Sequence, residues 1–377
     1  MMELKIYFKN VGQGDTIFVH WDTEKKFGLI DCNVVNGGID PVIKHIERFD
    51  IRVLHFVVLS HPHTDHYSGL PLLFDYCKTK GIVIENFYHT AVFHKTRLTS
   101  LFKAGVTKRK QNELLLSAVN ENEGRRSLFK LFGILGEQSA LNGKGFIKCV
   151  EVINAKILIP LGDDYNLTFL APYQYDEHDR YIKANYDLST GSFVNKYPHR
   201  ENNPLANILS TIIQISTSDY ACQVLLCSDS TEYTFLRIAE HEYRFKQLTS
   251  TSLVGFQIPH HGSSENHVPD FWKAFDGLKT SHAFISVGEG YGHPSSEVVG
   301  FFDVESQKVH STNYVGGYRS YYEDKENEDF DLVDFNNDIM NMFDQSAKIE
   351  MREGCGEKIL SLKKELSGKY FVYVDTK

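Results

Sequence analysis

The residues His61-Pro62-His63-Thr64-Asp65-His66 follow directly on Val53 to Leu59, an almost unbroken apolar run. Such a run reads as a strand buried on both faces, so whatever stands at its end is presented at the rim of a buried sheet. In extended chain alternate side chains point the same way, so His61 and His63 can grip one cation together. Once the chain turns into a helix start, Asp65 and His66 can face a second cation nearby. Imidazole and carboxylate together suit Zn²⁺ best, with Mn²⁺ or Fe²⁺ also compatible. A lone histidine is more often structural than a ligand. Three histidines and an aspartate in this order, after a buried strand, make a two-metal ligand cassette.

Around it the chain alternates strands and helices. Residues 4–8 and 16–20 read as strands joined through Val11-Gly12-Gln13-Gly14-Asp15, and Phe27 to Asp31 as a short strand ending in a carboxylate. The two glycines match neither a Walker loop nor a dinucleotide fingerprint. They suit a tight turn that brings backbone and Asp15 near the metals. Residues 40–49 have helical spacing, and a helix begins after Gly69. Later, 208–215, 221–227, 252–258 and 283–287 read as strands, and 231–246, 268–276 and 295–302 as helices. This is α/β alternation in two halves, each opening with antiparallel strands.

Residues 94–200 fit that alternation poorly. Eleven Lys or Arg against four Glu give 94–150 a net charge of +7, with leucines at helical spacing. The segment reads equally as an inserted cap beside the site or as a solvated helical excursion. Residues 323–344 hold nine Asp or Glu against Lys325, a solvated acidic run. The whole chain carries a formal net charge of −9, which argues against general attraction to nucleic acid or anionic membranes. Its six cysteines are scattered, without ribbon or dithiol pairs, as in a reducing compartment. No secretory signal and no apolar stretch of roughly 18 residues is visible, so a soluble cytoplasmic protein is expected.

The cassette resembles the His-x-His-x-Asp-His signature of the metallo-β-lactamase superfamily. That resemblance implies an αββα sandwich; with the segments described above, the domain is expected over residues 1–320, interrupted by an inserted, partly helical cap at 94–200 and followed by an acidic extension at 321–377. It further implies that Asp31 is the buried carboxylate that orients the cassette. Asp229, in Leu225-Leu226-Cys227-Ser228-Asp229-Ser230, resembles the aspartate that bridges two metals. His261, in Ile258-Pro259-His260-His261-Gly262-Ser263, resembles a ligand of the second metal and is favoured over His260, which would support the site from outside. Val11 to Asp15, the His-His-Gly-Ser stretch, Asn207-Ile208-Leu209-Ser210 and Tyr291-Gly292-His293-Pro294 together resemble the hydrolase domain of the ComEC competence proteins. This likeness covers about residues 1–93 and 200–320. ComEC proteins also have a membrane channel region that this chain lacks, so DNA uptake does not carry over.

One departure stands out. Most superfamily members place a histidine some twenty-odd residues before the bridging aspartate, where this chain has Asn207 and Ser210. The first metal would then have His61, His63 and Asp229 without a third imidazole, unless His199 substitutes. Two divalent ions are expected, zinc foremost, with Mn²⁺ or Mg²⁺ tolerated at the less well ligated site. Water bridging such ions is acidified towards ~7, which supplies a nucleophile at neutral pH. Asp65 would ligate and steer it, and His293 would hold the substrate oxygen or protonate the leaving group. The expected activity is phosphodiester hydrolysis of DNA or RNA, the basic segment tracking the backbone. A small-molecule hydrolase, acting on choline phosphate, a cyclic nucleotide or a lactone, is the alternative on the same fold. A non-catalytic protein with a decayed site would lack further ligands.

Overall fold

The computed structural model describes residues 3–21, 25–90, 131, 134–135, 146–149, 157–172, 186–187, 192–193, 207–289, 292–330, 356–364 and 370–377. Alternating apolar positions set the layers. In Glu3–Phe8 the side chains of Leu4, Ile6 and Phe8 face one way and Tyr7 the other; in Phe56–Leu59, Phe56 and Val58 oppose Val57 and Leu59. Both faces of these strands are buried, so each sheet must be covered on two sides.

Two large sheets result. The first runs Tyr370–Thr376, Lys358–Lys364, Glu3–Phe8, Ile17–Trp21, Lys26–Ile30, Phe56–Leu59, Phe87–His89 and Ile147–Cys149 from edge to edge. The second runs Lys308–Ser311, His282–Ile285, Ser252–Gln257, Cys222–Leu226, Ile213–Thr217, Tyr165–Phe169 and Leu158–Leu161. One core joins their inner faces, including Ile6, Phe8, Val58, Ile215, Val224, Phe284 and Leu360. The outer face of the first sheet packs on helices Asp40–Arg48 and Leu70–Lys80 through Val42, Ile46, Leu73 and Phe74. The outer face of the second packs on Glu232–Ala239, Pro269–Lys273 and Ser296–Glu305 through Phe235, Trp272 and Phe302. The layers are therefore helix, sheet, sheet, helix, the αββα sandwich of the metallo-β-lactamase fold. Among the described residues no helix is long and apolar enough to cross a membrane.

Topology decides where a site can form. Lys26–Ile30, Phe56–Leu59, Phe87–His89 and Ile147–Cys149 are mutually parallel, as are Cys222–Leu226, Ser252–Gln257, His282–Ile285 and Lys308–Ser311. Polar residues follow on their carboxyl ends, Asp31, Ser60 and Ser286 directly and Asp229 and His260 three residues on. Open α/β sheets bind ligands at that end, because the connections leaving it are free to diverge.

Several boundaries differ from the sequence reading. Leu158–Leu161 and Tyr165–Phe169, within the proposed cap at 94–200, are strands of the second sheet, since Tyr165, Leu167 and Phe169 bury between the sheets. The basic part of that segment lies almost wholly outside the described residues, as does His199. The acidic extension at 321–377 likewise contains Lys358–Lys364 and Tyr370–Thr376, which pair onto Glu3–Phe8. The helix Gly316–Phe330 crosses the expected boundary at 320, held through Tyr321, Tyr322 and Lys325 on Asp303. Residues 207–209 form a short 3₁₀ turn, and the strand starts only at Ile213. Thr211 meanwhile donates its backbone N–H to the Ser60 carbonyl. The helix expected at 231–246 breaks at His241, whose ψ of 76° is not helical.

Candidate metal centre

Three loops carry the site, the cassette on one, Asp229 on the second and His260-His261 on the third, and each follows a strand. Leu59 ends an interior strand of the first sheet; the chain bends at His61-Pro62, is extended again at His63, and forms one helical turn over Thr64–Tyr67. This is the strand-to-helix transition that lets His61 and His63 act as one pair and Asp65 and His66 as another. Behind the turn, Gly14 has φ +110° and lies against the Asp65 backbone; a Cβ there would collide with the Asp65 carbonyl oxygen. Only glycine combines that conformation with that approach.

The geometry brings the expected ligands together in two groups sharing Asp229. Ligand atoms of Asp65, His66, Asp229 and His261 form one group, and those of His61, His63 and Asp229 the other. His66 Nε2 and His261 Nε2 each lie 3.4 Å from Asp229 Oδ1, and His261 Nε2 lies 3.6 Å from Asp65 Oδ2. His61 Nε2 lies 3.6 Å from the other oxygen, Asp229 Oδ2. Two ligands about 2.1 Å from one tetrahedral zinc stand roughly 3.4 Å apart, so these spacings suit a shared cation better than direct hydrogen bonds. Among the described residues, the nitrogens His61 Nε2, His66 Nε2 and His261 Nε2 and the oxygen Asp229 Oδ1 are buried without a hydrogen-bond partner. Native interiors rarely leave such groups orphaned. The donor set fits a pair of divalent cations.

The far nitrogens explain why each Nε2 faces inward. His66 Nδ1 is 2.7 Å from Asp31 Oδ2, and His261 Nδ1 is 2.7 Å from the Ser286 carbonyl oxygen. An Nδ1–H donated to either acceptor leaves an Nε2 lone pair aimed at the centre. Asp31 is fully buried at φ +57° and accepts from Ser60 N at 2.7 Å and Ser60 Oγ at 2.6 Å. It does not reach the open centre; it is a positioning residue for His66. A third cluster of Asp15, Asp31 and His66 converges on that Nδ1, which is already committed to Asp31. It is a supporting shell, not another cation site.

Electrostatics separate the groups. Burial alone would depress His66, but Asp229, Asp65 and Asp31 outweigh it and raise its pKa well above the ordinary value. His261 is opposed by burial in the same way, and Asp229 with Asp65 lifts it to about 9. Burial works to raise both Asp65 and Asp229, yet the surrounding imidazoles hold both carboxyls below their usual range. His61 is driven well below the normal range by burial and then by His66 and His63. The result is an anionic carboxylate pair ringed by imidazoles, where a cation replaces bound protons.

Of the remaining expected residues, Asp15 is buried with Oδ2 accepting from Gln257 Nε2 at 2.6 Å. Asn207 is buried with Nδ2 3.3 Å from His260 Nε2, and Ser210 is buried with its hydroxyl lacking a partner among the described residues. His293 is half-buried, its ring 5.6 Å from that of His260. His260 stands closer to the centre than the sequence reading placed it: its Nε2 is 3.7 Å from Asp229 Oδ2. Residues that the sequence reading missed are Ser60, Ser228, Gln257, Asn266 and Ser286. Ser228 Oγ donates to Ser60 Oγ at 2.7 Å, and Gln257 Oε1 accepts the backbone N–H groups of Cys227 and Ser228. The one available signal was Gln257, a polar residue closing an apolar strand just before Pro259-His260-His261.

Residues 10–131 match the family model of the metallo-beta-lactamase superfamily. Among solved structures, the chain is similar to the metallo-beta-lactamase fold protein YhfI from Bacillus subtilis. The two are 12% identical over 82% of this chain and 96% of that one, with a TM-score of 0.38. A diphosphatase from the PhnP family is 10% identical over 82% of this chain and 94% of that one, with a TM-score of 0.37. No curated protein matches the chain.

Proposed function

We propose that this chain, with its metallo-β-lactamase fold and superfamily match over residues 10–131, is a metal-dependent hydrolase of phosphodiesters, acting on DNA or RNA. The observation that carries the reading is the Asp229 carboxylate, each of whose oxygens faces its own set of imidazoles. Two divalent cations held there would activate water and neutralise charge developing on a phosphoryl oxygen. His61, His63 and Asp229 would hold one cation; Asp65, His66, Asp229 and His261 the other. Asp65 is the ligand most open to solvent, with a side chain 30% exposed, and it is placed to accept a proton from an attacking water. His293, whose pKa is lowered by burial and then by His260 and His261, has an Nδ1 without a hydrogen-bond partner among the described residues and would hold the substrate oxygen or protonate the leaving group. The ComEC-like motifs and the +7 charge of residues 94–150 support a polyanionic substrate.

The test is cleavage of single- and double-stranded DNA, RNA and bis(p-nitrophenyl) phosphate by protein of measured metal content. Metal-dependent cleavage of an oligonucleotide, abolished in His63→Ala and weakened by salt, is the expected outcome. Activity on the small diester alone moves the assignment to a small-molecule phosphoesterase, and salt-insensitive nucleic-acid cleavage removes the electrostatic part.

A further inference from the structure

The adjacent histidines 260 and 261 have an arrangement that neither strand nor helix supplies. Both are left-handed, at φ 48°, ψ 48° and φ 52°, ψ 25°, a region that few non-glycine residues occupy. In a strand, neighbouring side chains point to opposite faces. Here the coil bends both rings around one carboxylate. His261 Nε2 faces Asp229 Oδ1 at 3.4 Å, the oxygen that also faces His66. His260 Nε2 faces Asp229 Oδ2 at 3.7 Å, the oxygen that also faces His61 at 3.6 Å.

The coil is pinned. His260 N donates to the Ser228 carbonyl oxygen at 2.9 Å, one residue before Asp229, so ring and carboxylate are positioned from the same loop. The Asn266 side-chain amide contacts His260 Nδ1 through Nδ2; with the amide turned so that Oδ1 stands there and accepts from Nδ1–H, it becomes an outer partner that leaves Nε2 free as a ligand. Asn207, standing where a third imidazole was expected, lies with its amide 3.3 Å from His260 Nε2. It occupies the neighbourhood but offers no imidazole; His260 does.

We propose that His260 is the third imidazole ligand of the first cation, joining His61, His63 and Asp229 Oδ2, and that the two left-handed residues divide adjacent histidines between the two metals. The first site is then not under-ligated, and a cation bound there would take the His260 Nε2 lone pair from the Asn207 amide. This rests on the two-metal reading of the centre, so the experiment separates the two.

Metal content and affinity are measured by elemental analysis and chelator-competition titration with Zn²⁺. The Co²⁺-loaded protein is followed by its visible absorption, using wild type, His260→Gln, His261→Gln and Asn266→Ala. Wild type binds two ions. His260→Gln binds one tightly and the second at least about tenfold more weakly, the cost that even an outer-shell loss inflicts. His261→Gln weakens the other site and changes a different part of the Co²⁺ spectrum. Asn266→Ala, which leaves every ligand in place, weakens the same site as His260→Gln and keeps the inference testable if the latter fails to fold. Two ions held with wild-type affinity in both His260→Gln and Asn266→Ala overturn the assignment of His260 and leave the two-metal reading intact. Wild-type protein that binds no cation overturns both.

Discussion

Asp31 shows how much a single buried carboxylate can set. Its backbone is left-handed, which turns the carboxylate back onto Ser60 N and Oγ and leaves Oδ2 to receive His66 Nδ1. Replacing Asp31 by Asn keeps a residue tolerant of that backbone but removes one acceptor. Outer partners of this kind are worth about 10–100-fold in metal affinity. Asp31→Asn is therefore expected to weaken the Asp65/His66/His261 site by that factor in a competition titration, with the His61/His63 site less affected. Equal weakening of both sites, or of neither, contradicts the role. Gly14 gives a second test: alanine there meets both the Asp65 carbonyl oxygen and φ +110°. Gly14→Ala is expected to cost about 1–3 kcal/mol, read as a lowered urea midpoint, with lost metal affinity because Asp65 moves. At this scale the cassette was legible because its spacing is local and its residue types are unusual together. Asp229 and His261 were legible only through their motifs. His260's placement was not, because two successive left-handed histidines are imposed by the Ser228 and Asn266 contacts rather than by local preference.

Elements were legible where periodicity was strong. Asp40–Arg48 and Cys222–Leu226 fall where their apolar spacing placed them, whereas the run from Val53 to Leu59 breaks at His55: Val53–Leu54 pairs with Val83–Ile84 and only Phe56–Leu59 joins the first sheet. The last two strands were hidden instead. Lys-Ile-Leu-Ser-Leu-Lys-Lys at 358–364 follows an acidic run and reads alone as part of a tail, whereas its partner is the first strand of the chain. Pairing over that separation leaves no local trace. Ile359, Leu360 and Leu362 are almost fully buried, and Leu360 packs so closely on Gly255 of the second sheet that a Cβ there would overlap it. Leu360→Ala is accordingly expected to destabilise the protein by about 2–5 kcal/mol in urea unfolding, the range for a buried leucine. A residue of a solvated extension would change stability by less than about 0.5 kcal/mol, so the two descriptions are well separated.

On the scale of the whole molecule, two half-structures contribute to one centre, so whatever loosens the packing of the first sheet on its helices also loosens the cassette. A buried histidine pair lies in that packing. His20 Nε2 and His45 Nε2 are 2.8 Å apart, and His45 is stacked on Phe18 at 3.8 Å between ring centres. One ring must donate and the other accept, so the contact survives only while at least one is neutral. Burial, reinforced by Lys5, Lys9 and Arg48, lowers His20 to about 3. Burial and then His20 itself push His45 down further. Both folded-state pKa values therefore lie below the unfolded value of about 6.5, and the unfolded chain takes up protons first as pH falls. Stability should be full above pH ~6.5 and drop below it, by up to about 1.4 kcal/mol per pH unit for each ring, until the folded rings titrate. His45→Asn will lower stability at neutral pH through lost stacking, so the offset is uninformative and the slope decides. Urea unfolding at a series of pH values between 7 and 5 should show the variant's decline shallower than wild type by about one ring's share. Parallel declines would mean that His45 takes up its proton at much the same pH in the folded and unfolded chain, so that its burial does not oppose protonation.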